Sequence, residues 1–259
     1  DNLSINSNFT LPIYNFFGRQ ATLKTGVAFE GKKRNSRILR YRFSTDWSRN
    51  SLDKNVRSIT SPEGIFTTEN ISSEGYLLTN NTSPTDNYEA TQRIFATYLM
   101  GEVVAINTLK MMTGFRWETA IQEISTFKLL SPDEKDTVNL SKSNVLPAFS
   151  STWKFADKQQ LRFAISQTLN RPDFKELSES PYIDPETRDL VRGNKKLQSA
   201  KINHVDLRWE WYMTRFETFS IAGFYKRIEN PIERVIRLGG GGVQTFANAE
   251  SAKIYGAEM

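Results

Sequence analysis

His204 and Asp206 are the residues whose types and spacing most resemble catalytic groups. On a β-strand their side chains would point the same way, because side chains alternate between the two faces, and a nearby serine would then suggest a hydrolase. However, no G-x-S-x-G or other nucleophile context accompanies them, and neighbours at i and i+2 do not by themselves form a nucleophile–base pair. We therefore predict that His204 is a polar strand residue and that the chain is not an enzyme.

Two further patterns resemble ligand sites without the required spacing. Gly239–Gly242 form a four-glycine run, but no Gly-Lys-Ser/Thr follows, so a flexible loop is expected rather than a phosphate cradle. Asp133, Glu134 and Asp136 lack the spacing of a calcium loop. The chain has no cysteine, which excludes thiolate ligands. We expect no metal and no cofactor.

A third pattern is the presence of both charge signs on the polar side of several candidate strands. These residues are Arg116, Glu118, Arg162, Asp206, Arg208 and Glu210. Charge at strand centres suits a water-filled lumen, where it can tune what passes. We predict that the six residues face such a lumen; the alternative is that the charges simply pair with one another.

The strands that would position these charges are visible as a period of two. Leu161, Phe163 and Ile165 alternate with polar residues such as Arg162 and Ser166, and similar alternation recurs along the chain. About nine strands are predicted, approximately at 2–11, 21–44, 87–104, 108–123, 143–155, 160–171, 202–213, 216–236 and 243–259. No stretch approaches the roughly 18 consecutive apolar residues of a membrane-spanning helix.

The connections between these strands alternate in length. Short connections take turns with long ones, which fall around 45–86, 123–142, 172–202 and 237–243. A membrane β-barrel has short turns on one side and long loops on the other. Aromatic residues also gather near strand ends, as interfacial girdles require: Phe16, Phe17, Trp153, Phe155, Trp211 and Tyr212. A soluble β-sandwich remains the alternative.

The composition sets limits on the possible partners. Of 259 residues, 38% are hydrophobic, 12% aromatic and 24% charged, which is typical of an ordered protein. The net charge of +5 is spread along the chain, without an aromatic-interleaved basic run. We therefore expect no nucleic-acid binding.

The second half of the sequence resembles the β-barrel of TonB-dependent outer-membrane receptors, particularly those of Bacteroidetes. The resemblance lies in NVLPAFSSTWKFADKQQLRFAISQTLNRPDFKELS, then in DLRWEWYM, FSIAGFYKRIENPIERVI and FANAESAKIYGAEM. The segment NYEATQRIFATYLMGEVV and the following LKMMTGFRWETA resemble the preceding hairpin, so the likeness covers nearly the whole chain.

The strand-end motif of that family is Ser-Arg-Pro-x-Phe-x-Glu-Leu. Its counterparts here are Asn170, Arg171, Pro172, Phe174, Glu176 and Leu177. Pro172 has no N–H for a strand ladder, so pairing should stop there and a loop should begin. The family's Gly-Asn-Pro element is replaced by Gly193-Asn194-Lys195, so this turn lacks the proline that would stiffen it.

The resemblance implies an all-β fold, an antiparallel up-and-down transmembrane β-barrel with long extracellular loops and short periplasmic turns. Such transporters have 22 strands and a plugged lumen. Residues 1–259 are thus expected to form a single segment of the barrel domain, about nine strands of a larger barrel, with the plug absent from this chain. The mixed charges would then hold the plug or line the passage.

The resemblance also implies a function and a location. The barrel would belong to a receptor of the bacterial outer membrane for energy-coupled uptake of a scarce nutrient: an iron chelate, glycan, peptide or cobalamin-like ligand. Its partners would be outer-membrane lipid, the extracellular ligand, and TonB acting through the plug. A passive pore or barrel enzyme, and a surface-displayed adhesion protein, are the alternatives.

Overall fold

The structure is a computed structural model that describes residues 1–16, 18–45, 59–72, 75–127, 134–236 and 243–259. Strands dominate this part of the chain, and none of its helices is long and apolar enough to cross a membrane. In chain order the strands are β1 (Asn2–Phe16), β2 (Arg19–Ser36), β3 (Tyr41–Thr45), β4 (Tyr76–Asn80), β5 (Tyr88–Ile106), β6 (Leu109–Phe127), β7 (Lys135–Ala156), β8 (Gln159–Asn170), β9 (Tyr182–Ile183), β10 (Leu190–Val191), β11 (Ala200–Tyr212), β12 (Thr218–Glu229), β13 (Ile232–Ile236), β14 (Gln244–Asn248) and β15 (Ser251–Glu258). The short helices are α1 (Pro62–Ile65), a 3-10 turn (Pro84–Asp86) and α2 (Phe174–Leu177).

Nine of these strands form one antiparallel sheet, in the order β1-β2-β5-β6-β7-β8-β11-β12-β15. Sequential neighbours pair throughout, which is the up-and-down topology predicted from the sequence. The predicted number of strands is confirmed for this sheet.

The connections within the sheet alternate in length as predicted, but the predicted long connection at 123–142 is wrong, because β6 continues to Phe127 and β7 begins at Lys135. At one end, which we call the turn end, β5 and β6 are joined by 107–108, β7 and β8 by 157–158, and β11 and β12 by 213–217. At the opposite end, which we call the loop end, the sheet strands are joined by long segments such as 37–87 and 171–199.

Several predicted strand boundaries are wrong at the loop end. The predicted strand 216–236 ends in the main sheet at Glu229, because Asn230 adopts a positive φ of 54° and turns the chain. The continuation, β13, pairs with β14, and both join β10 and β9 in a separate four-stranded sheet. In the same way, β3 leaves the main sheet and pairs with β4. A period of two continues through such loop hairpins, so it does not show where a strand leaves the main sheet.

The register gives the main sheet two faces that can be recognised from residue numbers. Away from the turns, paired residues are both odd or both even; Trp117, for example, lies opposite Thr97 and Val145. The register shifts occur beside the turns, as between Trp153 and Ala156. Since side chains alternate along each strand, odd residues share one face and even residues the other. We call these the odd face and the even face.

The two faces differ in polarity and in what covers them. Large apolar side chains are exposed along the odd face, including Ile5, Phe9, Val27, Phe95, Phe115, Trp117, Val145, Ile165, Val205, Leu207 and Ile221. The even face is covered near the loop end by the 171–199 segment, and the buried apolar cluster forms there from Tyr88, Ala90, Ile124, Phe174, Leu177 and Leu197. A sandwich would bury the apolar face of its sheet, and this sheet exposes it, so the sandwich alternative is wrong.

Candidate functional site on the even face

The strand-end motif folds back onto the even face of the sheet. Strand β8 ends at Asn170, as predicted from Pro172, which cannot donate to a ladder. The carbonyl of Pro172 accepts a hydrogen bond of 3.0 Å from Nε2 of Gln122, an even residue of β6. The motif therefore does more than end a strand, because it attaches the following loop to the main sheet.

Arg171 and Glu118 form the ionic part of this attachment. Arg171 Nη2 donates to Glu118 Oε2, and Arg116 Nε donates to Glu118 Oε1 at 2.5 Å. The Glu118 residue is only 8% exposed, so its charge depends on these two guanidinium groups for compensation. Two of the six predicted residues, Arg116 and Glu118, thus meet a third residue from the strand-end motif.

Helix α2 supplies the apolar part of the attachment. Asp173 caps it: Phe174 N–H donates to Asp173 Oδ1 at 2.5 Å, and Asp173 N–H donates to Glu176 Oε2 at 2.8 Å. Burial raises the pKa of Glu176, although the hydrogen bond from the Asp173 N–H acts in the opposite direction. Phe174 and Leu177 are 1% and 0% exposed. The spacing of the motif thus lets Glu176 complete the cap of a helical turn while Phe174 and Leu177 are buried beneath it.

The Gly193-Asn194-Lys195 element closes the loop over α2. A Cβ at Gly193 would collide with the carbonyl oxygen of Ser178, so glycine is required by close backbone approach. Asn194 Nδ2 donates to the Phe246 carbonyl at 2.9 Å. Lys195, which replaces the family's proline, pairs with Asp136 at 3.0 Å, and this hydrogen bond raises the pKa of Lys195. Where the family has a proline, this chain thus has a lysine whose side chain contacts the main sheet.

The 171–199 segment is also joined to the next long loop. Arg234 Nη1 of β13 donates to Asp184 Oδ2 at 2.7 Å, and Gln244 Nε2 of β14 donates to Asp189 Oδ2 at 2.5 Å. Backbone N–H groups, chiefly that of Glu186, and then Arg234 lower the pKa of Asp184. Together with the four-stranded sheet, these contacts unite two long loops. The predicted glycine loop, Gly239–Gly242, lies outside the described residues.

A second ion cluster lies on the even face towards the turn end. Glu210 accepts hydrogen bonds from Tyr212 Oη at 2.8 Å and from Gln160 Nε2. Arg208 Nε and Arg162 Nε lie 3.0 Å and 3.3 Å from its carboxylate oxygens. Three more predicted residues, Arg162, Arg208 and Glu210, are therefore brought together. Tyr212 was predicted in an aromatic girdle; in the structure its hydroxyl belongs to this cluster on the even face.

The remaining candidates are not brought into either cluster. Asp206 is exposed between Ala164 and Phe224 and makes no ion pair within the described part of the chain. His204 Nε2 lies 2.8 Å from Thr168 Oγ1. Among the described contacts, none links His204 to Asp206 or to a serine hydroxyl. The hydroxyl that His204 meets belongs to Thr168, and within the described residues no carboxylate contacts the imidazole to orient it as a triad requires.

Sequence reasoning missed Gln122 and Gln160, which complete the two clusters. Uncharged amides do not stand out in a charge pattern. Their even numbers place them on the same face as Glu118 and Glu210, and this shared parity could have identified them from the sequence.

Comparison with known proteins gives the same architecture. The family model described as "TonB dependent receptor-like, beta-barrel" matches residues 2–259. Among curated proteins, none matches the sequence.

Solved receptors with a similar fold include the ferric-catecholate import receptor Fiu from Escherichia coli K12, with a TM-score of 0.59 and 15% identity over 99% of this chain and 34% of that one. The ferric enterobactin receptor PfeA of Pseudomonas aeruginosa, in complex with enterobactin, gives a TM-score of 0.61 and 14% identity over 99% of this chain and 32% of that one. The Serratia marcescens hemophore receptor HasR, in complex with HasA and heme, gives a TM-score of 0.66 and 9% identity over 99% of this chain and 38% of that one.

The chain thus spans about a third of the length of these receptors, and at such identities the likeness concerns the fold. Its long loops correspond to the extracellular side of the barrel and its short turns to the periplasmic side. Because the family model covers nearly every residue, the chain belongs to the TonB-dependent receptor β-barrel family of the bacterial outer membrane.

Proposed function

We propose that the chain forms part of the wall and extracellular vestibule of a receptor that imports a scarce nutrient with energy relayed by TonB. The observation that supports this most directly is the even face: it is polar, and an anchored loop packs onto it at the extracellular end. A wall of this kind suits a lumen that is lined by charge and narrowed from outside by a loop. Residues 1–259 would constitute one segment of the barrel domain, and the plug would belong to the rest of the receptor.

In this proposal the even face lines the lumen and the odd face contacts lipid. The exposed apolar side chains of the odd face support the assignment, because contact of such a surface with lipid hydrocarbon is favourable, whereas contact with water is unfavourable. Aromatic residues near the periplasmic turns also lie on the odd face: Trp153 with Phe155, and Trp209 with Trp211 and Phe219. Their position suits the aromatic belt at the periplasmic interface of the outer membrane.

The charges of the even face favour an anionic ligand. Towards the periplasmic side, five basic residues stand against four acidic ones. The basic residues are Lys24, Lys110, Lys154, Arg162 and Arg208, and the acidic ones are Glu102, Asp206, Glu210 and Glu258. A ferric catecholate carries net negative charge, because its phenolate oxygens outweigh the charge of the iron. We therefore favour an iron chelate over a glycan, peptide or cobalamin-like ligand. Fiu is described as an import receptor for ferric catecholates.

The experiment is uptake by cells that express the full-length receptor. Radiolabelled ferric catecholate, a neutral oligosaccharide and vitamin B12 would be compared, with and without an uncoupler of the inner membrane. We expect energy-dependent accumulation of the iron chelate, and a several-fold loss in the Arg162→Gln/Arg208→Gln variant at unchanged outer-membrane abundance. Uptake that persists with the uncoupler would instead identify a passive pore, and turnover of a substrate without uptake would identify a barrel enzyme.

A further inference from the structure

The odd face changes from apolar to basic within one step along β11, β12 and β15. Val205 lies opposite Tyr225, and Tyr225 lies opposite Tyr255. Two positions nearer the loop end, which is about 7 Å along the strands, Arg227 lies opposite both Asn203 and Lys253. Amphipathic tyrosines at such a boundary are typical of a membrane–water interface.

Arg227 and Lys253 form an unusual pair, which we call the outer basic pair. Both side chains are exposed on the same face of neighbouring strands, and like charges directly opposite each other are destabilising. Within the part of the chain that the structure describes, neither residue makes an ion pair. The acidic residue nearby on this face, Glu229, lies opposite Lys201. Among the described residues the pair thus presents two charges without an acidic partner, on β12 and on β15, the edge strand of this sheet.

A second basic position has the same relationship to the apolar surface. On β5, Arg93 lies two positions nearer the loop end than Phe95, whose ring packs against Phe29 with centroids 4.9 Å apart. Arg93 is exposed on the odd face, and Lys33 is exposed one step nearer the loop end on the neighbouring strand. The apolar-to-charged step therefore recurs several strands away from the outer basic pair. There the exposed acidic residues Glu89 and Glu123 lie on the same face, so of the two positions only the outer basic pair lacks an acidic partner among the described residues.

We propose that these outward-facing basic residues bind the phosphate groups of outer-leaflet lipids. The surface is continuous with the apolar odd face, so a lipid whose chains lie against Val205 and Tyr225 would bring its headgroup level with Arg227 and Lys253. Anionic headgroups are attracted to membrane-flanking Lys and Arg side chains. A bound phosphate would also offset the repulsion within the outer basic pair.

This inference rests on the proposal that the odd face contacts lipid, and it commits to a lipid as the source of the phosphate. Arg227 and Lys253 lie on an open strand surface, where a free phosphate ion would keep water on most sides. A phospholipid or lipopolysaccharide is held in addition by its chains, so its local concentration at this height is high.

The test uses the full-length receptor in detergent, titrated with bisphosphorylated lipid A and followed by native mass spectrometry. We expect the Arg227→Gln/Lys253→Gln variant to bind the lipid about 25-fold more weakly, since each cation contributes roughly a factor of five. The matched control is Lys142→Gln/Lys226→Gln, which removes two charges from the even face and should bind like the parent. Arg227→Lys/Lys253→Arg keeps the charges and should also retain binding, which separates loss of charge from loss of folding.

Two additional probes distinguish the source of the anion. Dephosphorylated lipid A should bind weakly to every variant, and inorganic phosphate should not compete at millimolar concentration. Equal lipid binding by the parent and the Arg227→Gln/Lys253→Gln variant, or equal losses in the even-face control, would overturn the proposal. Competition by inorganic phosphate would show a simple anion site instead. Failure here would leave the uptake proposal intact, because uptake and outer-membrane abundance are measured separately.

Discussion

Arg171 and Glu118 are 53 residues apart in the chain, yet the guanidinium group of one is hydrogen-bonded to the carboxylate of the other. The contact joins the first residue after β8 to the middle of β6, two strands away in the sheet. It fixes the direction in which the 171–199 segment leaves the strand, so the loop packs over the even face instead of extending away from the membrane.

Breaking this ion pair should release the loop. We expect Glu118→Gln to destabilise the attachment by about 2 kcal/mol, below the range for fully buried pairs because Arg171 keeps some contact with solvent. Trypsin cleavage after Arg188 on intact cells, scored by immunoblot, would measure the release. Arg116→Gln is the matched control, since it leaves the Arg171–Glu118 contact in place and should cause less cleavage. Equal cleavage in both variants would contradict the role assigned to Arg171.

The apolar anchors of α2 should contribute more than the ion pair. Phe174→Ala is expected to destabilise the loop cluster by about 3 to 5 kcal/mol, and Leu177→Ala by about 2 to 5 kcal/mol, because each leaves a cavity among buried side chains. Hydrogen exchange of the loop amides in the purified receptor would report the loss of protection. Glu186→Ala, at an exposed turn position, should leave exchange unchanged. Unaltered protection in Phe174→Ala would argue against a common core.

Single cysteines can test the assignment of the two faces. Ser150→Cys and Ser166→Cys place thiols on the even face with little change in size, whereas Val145→Cys and Val205→Cys place them on the odd face. In the full receptor in outer membranes, a water-soluble maleimide should label the even positions and a lipophilic maleimide the odd ones. The reverse pattern would exchange lumen and lipid.

Epitope insertions can test the orientation of the barrel. An epitope after Glu186 should be accessible to antibody on intact cells. Glu186 lies in an exposed turn of the 171–199 segment, at the loop end of the sheet. An epitope after Asp157, in the turn between β7 and β8, should be detected only after the outer membrane is permeabilised. Detection of the Asp157 epitope alone on intact cells would invert the topology.

The union of the two long loops should weaken in acid. Hydrogen bonds from backbone N–H groups, then Arg234, lower the pKa of Asp184 in the folded loops. Since the folded pKa lies below the unfolded value of about 4, the stabilisation is fully present above pH 4 and is lost as pH falls through the folded pKa. Pepsin cleavage of the loops should therefore rise between pH 4 and pH 2. Asp184→Asn should remove most of this dependence, whereas Glu233→Gln, at an exposed position of β13, should preserve it.

The sequence alone determined the membrane-sheet architecture. Because side chains alternate with a period of two, the pattern of Leu161, Phe163 and Ile165 assigned each residue to a face, and the register keeps that assignment across nine strands. The alternation of short and long connections likewise follows from local residue types, although the length of the connection between β6 and β7 does not. The predicted number of strands in the main sheet and the position of the strand end before Pro172 needed no long-range information.

Only the tertiary structure decided which distant charges meet and how the loops fold. Alternation alone places Arg116 beside Glu118 and Arg208 beside Glu210, since each pair is two positions apart on one strand. Arg171 and Arg162 reach these carboxylates from other parts of the chain, and no short-range period encodes those contacts. The departure of β13 and β14 from the main sheet depends on pairing between two loops, and alternation is the same in either sheet. A local pattern records the face that a residue prefers, whereas the partner across space is selected by the packing of segments far apart in the chain.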